Sequence, residues 1–295
     1  VLVIGAGMAG IAAATKTASK GSKVAIVDAL PYGGTCALRG CDPKKILRRG
    51  AEVVDAARLM VGKGIDSGEL SINWDDLMKH KHRFTDPVPR SMEEDLQAHG
   101  VSTLHGRATF TGPTEVTIEG TRSTASNILV ATGAVPRPLD FPGHEHLIDS
   151  TDFLNLEALP DRIVFVGGGF ISFEFAHIAA RAGSTPIIID RGPRPLRAFD
   201  ADLVELLIGR GSEAGVEVRS RTSITGVSKT GNGYTVHTDT AGTASDIEAD
   251  LIVHGAGRVP ELSTLDLDAG HVAYGPQGIE VAPHLQSTTN PAVYA

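Results

Sequence analysis

Short aliphatic runs alternate with Ala-rich and amphipathic stretches along the chain. Val1 to Ile4 is β-branched and aliphatic, a glycine turn occupies Gly5 to Gly10, and Ile11 to Lys20 is rich in helix formers before Gly21 ends the helix. Val24 to Val27 is a second apolar run, closed by Asp28. Runs without polar alternation are how strands buried on both faces read. The same order returns at Ile163 to Val166, a turn at Gly167 to Ser172, a helix to Ala182, Gly183, Ile187 to Ile189 and Asp190. From first glycine to closing acid the spacing is 23 residues both times, 28 − 5 and 190 − 167. Strand, glycine turn, helix, strand and acid make half of a doubly wound parallel sheet, so the expected fold is α/β with two Rossmann-like dinucleotide-binding domains.

Between these units, Ala51 to Lys63 reads as helix, and Trp74 to Leu96 as a polar helical stretch interrupted by Pro87 and Pro89. Strands are expected at Glu115 to Ile118 and Asn127 to Val130, then a turn-rich linker from Gly133 to Gly143. Beyond the second unit, Val216 to Val218, Ser223 to Val227, Tyr234 to Thr238 and Leu251 to Val253 read as short strands, with Thr230-Gly231-Asn232-Gly233 as a hairpin turn. The tail from Leu262 shows no long element, and a strand starts at Val293. The chain opens inside a strand pattern with no Met, which points to a clipped N-terminus.

Composition narrows the classes. The 295 residues, 41% hydrophobic and 21% charged, are enough for about two domains and exclude a disordered or fibrous chain. A net charge of −8 disfavours a nucleic-acid groove or a polybasic membrane patch. No segment has the roughly eighteen uninterrupted apolar residues of a membrane span. Cys36 and Cys41 are the only cysteines, too few for a disulfide-stapled secreted domain, and they point to a reducing, cytoplasmic compartment with a chemical role. The alternating pairs His80 and His82, and His144 and His146, read as surface histidines, because no third ligand is in view; no metal site is expected.

The glycines carry the first chemistry. Gly5, Gly7 and Gly10, and in the second unit Gly167 and Gly169 with Ser172 at the third position, sit where a chain must turn tightly, approach a pyrophosphate by its backbone and pack helix on strand. Each helix N-terminus adds N–H donors and a positive dipole end. Asp28 is placed to accept hydrogen bonds from a ribose. Asp190 alone would favour the free 2′-hydroxyl of NADH, but Arg191, Arg194 and Arg197 suit a 2′-phosphate, so NADPH is expected; the competing reading is a solvated basic loop. Two dinucleotides in one chain suggest electron transfer.

Cys36 to Cys41 follows Gly33-Gly34-Thr35 and lies close after the first fingerprint, where a dithiol can exchange electrons with a redox ring. Asp42-Pro43-Lys44-Lys45 gives an N-cap, a proline at the first helical position and two cations, which would stabilise a Cys41 thiolate. The alternatives are a structural disulfide and half of a zinc site.

From Gly33 through Cys36 and Cys41 to Pro43-Lys44-Lys45, this segment resembles the active-site segment of the FAD-dependent pyridine nucleotide-disulfide oxidoreductases: glutathione reductase, dihydrolipoamide dehydrogenase, mercuric reductase and relatives. The resemblance covers nearly the whole chain. It makes Gly5 to Gly10 with Asp28 the FAD fingerprint, with Gly34 and Thr35 beside the flavin, Ala131-Thr132-Gly133 a second flavin-contacting turn, and Gly167 to Glu174 the NAD(P) fingerprint. Gly257 and Arg258 lie in the motif closing the nicotinamide domain. It also implies that Lys45 sits near flavin N5 and pairs with Glu174, though Glu174 is equally a first-turn acid on a helix dipole.

The implied organisation is an FAD-binding first part at 1–141, an NAD(P)-binding domain at 142–262, and a truncated return to the FAD domain at 263–295, with the C-terminal dimerisation domain missing. The implied activity passes electrons from NADPH or NADH through FAD to a Cys36–Cys41 disulfide and on to a small-molecule or small-peptide disulfide. The implied assembly is a homodimer, whose partner subunit would contribute a His-Glu general acid. Pro43-Lys44-Lys45 and the Arg191 and Arg197 spacing look most like glutathione reductase. Ala37-Leu38-Arg39 departs from the family's commoner Val-Asn-Val, and Met8 and Thr15 stand where some glutathione reductases carry Ser and Arg, with Lys16 a candidate to compensate. Other readings are dihydrolipoamide dehydrogenase or mercuric-ion reductase activity, or a flavin-bound redox sensor or electron-transfer protein.

Overall fold

The computed structural model describes residues 1–66, 68 and 70–295, and the chain divides into two compact units. The first comprises Val1–Asp42, Arg83–Val135 and Arg258–Ala295, and the second Pro43–His82 and Pro136–Gly257. These bounds differ from the expected 1–141, 142–262 and 263–295, chiefly because residues 43–82 go with the second unit. The reason is amphipathic packing: Leu47, Trp74 and Met78 bury one stripe in the same core as Phe153, Phe165 and Phe173. No helix among the described residues is long and apolar enough to cross a membrane.

In the first unit, five parallel strands lie in the order Val293–Tyr294, Ile128–Val130, Leu2–Ile4, Val24–Asp28, Val101–His105. The central Leu2 faces Ile128 on one side and Ala25 on the other. The helix Met8–Ala18 makes the first crossover, and Ala14 packs with Val3 and Ile26 beneath it. An antiparallel meander, Ala108–Gly112, Glu115–Ile118 and Thr121–Thr124, shares a core with Leu2, Ile4 and Val130 through Phe110 and Val116. The expected polar helical stretch is two helices, Trp74–Thr85 and Val88–Ala98, broken at the prolines.

The second unit has four parallel strands in the order Glu217–Arg219, Thr185–Ile189, Arg162–Val166, Leu251–His254, with the helices Phe170–Arg181 and Ala201–Glu213. Phe153 and Phe175 stack at 4.5 Å in its core. Trp74 meets Phe153 edge-on, and its Nε1 donates to Leu156 O at 2.8 Å. A three-stranded antiparallel sheet, Thr222–Thr230, Gly233–Thr240 and Thr243–Ala249, turns through the expected hairpin. Its open face carries two polar cross-strand rungs, Ser228 to His237 to Asp246 and Thr230 to Thr235 to Glu248.

Candidate dinucleotide and dithiol sites

The three glycines of the first fingerprint do different jobs. Gly5 has φ +109°, and a β-carbon there would collide with Ala131 O. One on Gly10 would collide with Gly5 O and press on Val3, so helix and strand touch only because Gly10 has no side chain. A β-carbon on Gly7 would meet only Gly34 Cα, at an ordinary 3.8 Å. Nothing among the described residues requires a glycine at Gly7, yet it sits at the N-cap of Met8–Ala18 with no side-chain cap. This is the open cradle that a pyrophosphate needs, and the residues present fit a dinucleotide.

Asp28 is fixed beside that cradle: Oδ2 accepts the Ala6 N–H at 2.7 Å and Oδ1 the Leu30 N–H at 2.8 Å. Each oxygen keeps a lone pair for a ribose hydroxyl. Ala131 packs on Gly5, Thr132 Oγ1 donates to Glu261 O at 2.6 Å, and Gly133 turns with φ +74°. The expected second turn therefore lies against the first glycine.

Gly34 brings the cysteines to the same place. Its φ is +62°, and a β-carbon would lie 2.5 Å from Gly7 Cα, so the Gly-Gly-Thr segment is laid backbone to backbone on the fingerprint. Gly33 N–H donates to Ala6 O at 2.9 Å and holds it there. Thr35–Arg39 forms one π-helical turn containing Cys36, and Cys41 opens the helix Cys41–Leu59. Cys36 is half-buried and Cys41 is exposed. Two expectations are corrected. The helix starts at Cys41, so Asp42 is a first-turn acid rather than the N-cap. Its length reaches well before the expected Ala51, because Pro43 falls in the first turn, where its missing N–H costs nothing.

Lys44 pairs with Glu174, the partner expected for Lys45. Lys44 Nζ donates to both carboxylate oxygens, at 2.6 and 2.8 Å, with side chains 20% and 34% exposed. Lys45 is exposed. Adjacent helical residues are turned by roughly 100°, so the two neighbouring lysines leave the helix in different directions.

In the second fingerprint, Gly167 has φ +100°, and a β-carbon would lie 2.6 Å from Ala256 Cα; Gly169 approaches Gly255 O and caps Phe170–Arg181. Ser172 replaces the third glycine and is fully buried, its Oγ resting on Gly255 without a hydrogen-bond partner. Asp190 is buried, with Oδ1 accepting the Gly192 N–H at 3.1 Å. The arginines separate. Arg194 is spent on the loop, donating to Phe199 O at 3.0 Å and Arg197 O at 3.2 Å, whereas Arg191 and Arg197 are exposed. Gly257 turns with φ +107° and accepts the Arg137 N–H, and the Arg258 guanidinium donates to Ala134 O.

Two groups of the neighbourhood were not legible in sequence. Tyr32 is buried between strands, donating to Leu104 O at 2.8 Å, and burial pushes its phenol up to about 12. His177 accepts from Arg181 at 2.6 Å on Nδ1, which leaves its buried Nε2 proton without an acceptor; Arg181 is held by Asp55. Desolvation, and then the Arg181 charge, lower the His177 pKa.

The entire chain, residues 1–295, matches the pyridine nucleotide-disulphide oxidoreductase family. It belongs to that family. Among curated relatives it is 32% identical to dihydrolipoyl dehydrogenase of Bacillus subtilis (strain 168), over 99% of this chain and 65% of that protein. It is 32% identical to glutathione reductase of Burkholderia cepacia, over 100% of this chain and 65% of that protein. A solved copper(II) complex of the HOCl-induced flavoprotein disulfide reductase RclA from Escherichia coli has the same fold, with TM-score 0.88 and 24% identity over 100% of this chain and 64% of that one. The chain thus spans about 65% of the length of these curated relatives.

Proposed function

We propose that this chain carries the nucleotide-binding and dithiol parts of an NADPH-dependent flavoprotein disulfide reductase. The observation that carries the reading is the packing of Gly34 on Gly7, which lays the segment holding Cys36 against the open cradle of the first fingerprint. Gly7, Asp28 and the turn at Ala131 would hold FAD, which when bound supplies a two-electron station between the nicotinamide and the dithiol. Arg191 and Arg197, left exposed while Arg194 braces the loop, favour NADPH.

The protein's own chemistry is thiol exchange. A Cys36 thiolate attacks one sulfur of a small disulfide, forming a mixed disulfide and expelling the first thiolate. Cys41 then attacks Cys36 Sγ, forming the Cys36–Cys41 disulfide and expelling the second. The dithiol loses the two electrons that the substrate gains, and two protons leave the cysteines while two are taken up by the products. The order of attack rests on the family resemblance, as does a homodimer with a partner-supplied general acid. In the full-length holoenzyme, Cys36→Ser should leave flavin reduction by NADPH intact and abolish disulfide turnover. Full turnover in that variant would sink the assignment.

A further inference from the structure

We infer that Arg221 is a third guanidinium for the 2′-phosphate of the nicotinamide nucleotide, and so helps set NADPH over NADH. The inference rests on the NADPH reading of the second unit. Three arginines adjoin Gly192, in the loop after Asp190, by chain adjacency, side chain and backbone respectively. Arg191 precedes Gly192, the Arg197 guanidinium lies across the Gly192 α-carbon, and the Arg221 N–H donates to Gly192 O at 2.8 Å. Thr222 N–H, the next along, donates to Asp190 O at 3.0 Å, so the start of its strand is stitched to both residues of the turn.

The other arginines here are already committed: Arg194 to Phe199 O and Arg197 O, and Arg219 to Glu217 at 2.6 Å. The guanidinium groups of Arg191, Arg197 and Arg221 have no hydrogen-bond or ion-pair partner among the described residues, and all three side chains are exposed. Arg191, Arg197 and Arg221 thus bring three cations to this turn, in a chain of net charge −8, without a carboxylate bonded to any of them. A phosphate monoester, with close to two negative charges and three acceptor oxygens, is the ligand that such a set fits, because guanidinium groups bind it through paired N–H donors.

The backbone supplies a clean variant. Arg221 has φ +56°, the left-handed region where glycine is favoured and other residues are strained. A glycine would relax the turn, so Arg221→Gly removes the guanidinium without straining the backbone.

The test is calorimetric titration of the flavin-loaded full-length protein with adenosine 2′,5′-bisphosphate and, separately, with 5′-AMP. For Arg221→Gly and Arg221→Ala, binding of the bisphosphate should weaken roughly tenfold, as for loss of one charge-assisted contact at an exposed site, with 5′-AMP binding unchanged. The melting temperature of Arg221→Gly should not fall. If both Arg221 variants bind the bisphosphate as tightly as wild type while Arg191→Ala weakens it, the role of Arg221 is overturned and the NADPH reading stands. Equal weakening for both ligands would mark Arg221 as a structural residue of the turn and likewise overturn the inference. If the wild type does not prefer the bisphosphate to 5′-AMP, the NADPH reading falls and the inference falls with it.

Discussion

Lys44 grips both carboxylate oxygens of Glu174, and so ties the first turn of one helix to the early turns of another. With side chains 20% and 34% exposed, the pair lies between the weak surface class and the buried class. Lys44→Met should therefore cost about 1 kcal/mol. Chemical denaturation of Lys44→Met, Glu174→Gln and the double variant checks this, and additive effects would show that the two groups do not interact.

Gly7 and Gly34 touch, yet substitutions at the two should part company. A methyl at Gly7 has room, so Gly7→Ala should fold with unchanged or slightly raised stability while retaining far less flavin. At Gly34, φ +62° and the 2.5 Å approach to Gly7 Cα make Gly34→Ala destabilising by about 1–3 kcal/mol. Flavin absorbance per protein, read beside a melting curve, separates the two effects.

Ser172 buries a hydroxyl with no partner, so removing it relieves a desolvation cost. Ser172→Ala should stabilise by about 1 kcal/mol, roughly 2–4 °C for a domain of this size. Gly255→Ala would drive a methyl into Ser172 Oγ and should destabilise by about 1–3 kcal/mol. Combining it with Ser172→Gly should recover part of that loss; no recovery would mean that the clash lies with Val166 O instead.

Acid should weaken the second unit through His177. Its folded pKa lies below the ordinary imidazole value of 6.5, so the unfolded chain takes up the proton more readily. The stability of the neutral form is fully present above about 6.5 and is lost as pH falls from there through the depressed folded value. Arg181 lowers the pKa and Asp55 raises it, with burial the larger influence. Melting temperature against pH should fall more steeply in wild type than in His177→Gln, and parallel curves would remove His177 as a cause.

The strands Leu2–Ile4, Val24–Asp28 and Arg162–Val166 were legible because parallel strands covered on both faces read as unbroken aliphatic runs. Val101–His105, Thr121–Thr124 and Thr243–Ala249 were not, since polar residues break each into apolar runs too short to read as a buried strand, and pairing with a neighbouring strand settles them. The glycine spacing located both fingerprints, but which glycines pack on protein and which stay open is tertiary information. So is the pairing of Lys44 with Glu174, which depends on the rotation of a helix whose start lay at Cys41. Among Arg191, Arg194 and Arg197, sequence supplied the charge; only the loop's own carbonyls reveal that Arg194 is occupied.

Trp74 is the sole tryptophan, and it belongs to the second unit, bonded to Leu156 and packed on Phe153. The molecule therefore carries a natural optical label on one half only. Melting of the first unit would leave tryptophan emission unchanged while circular dichroism falls, so comparing the two traces reveals whether the halves come apart together or in turn.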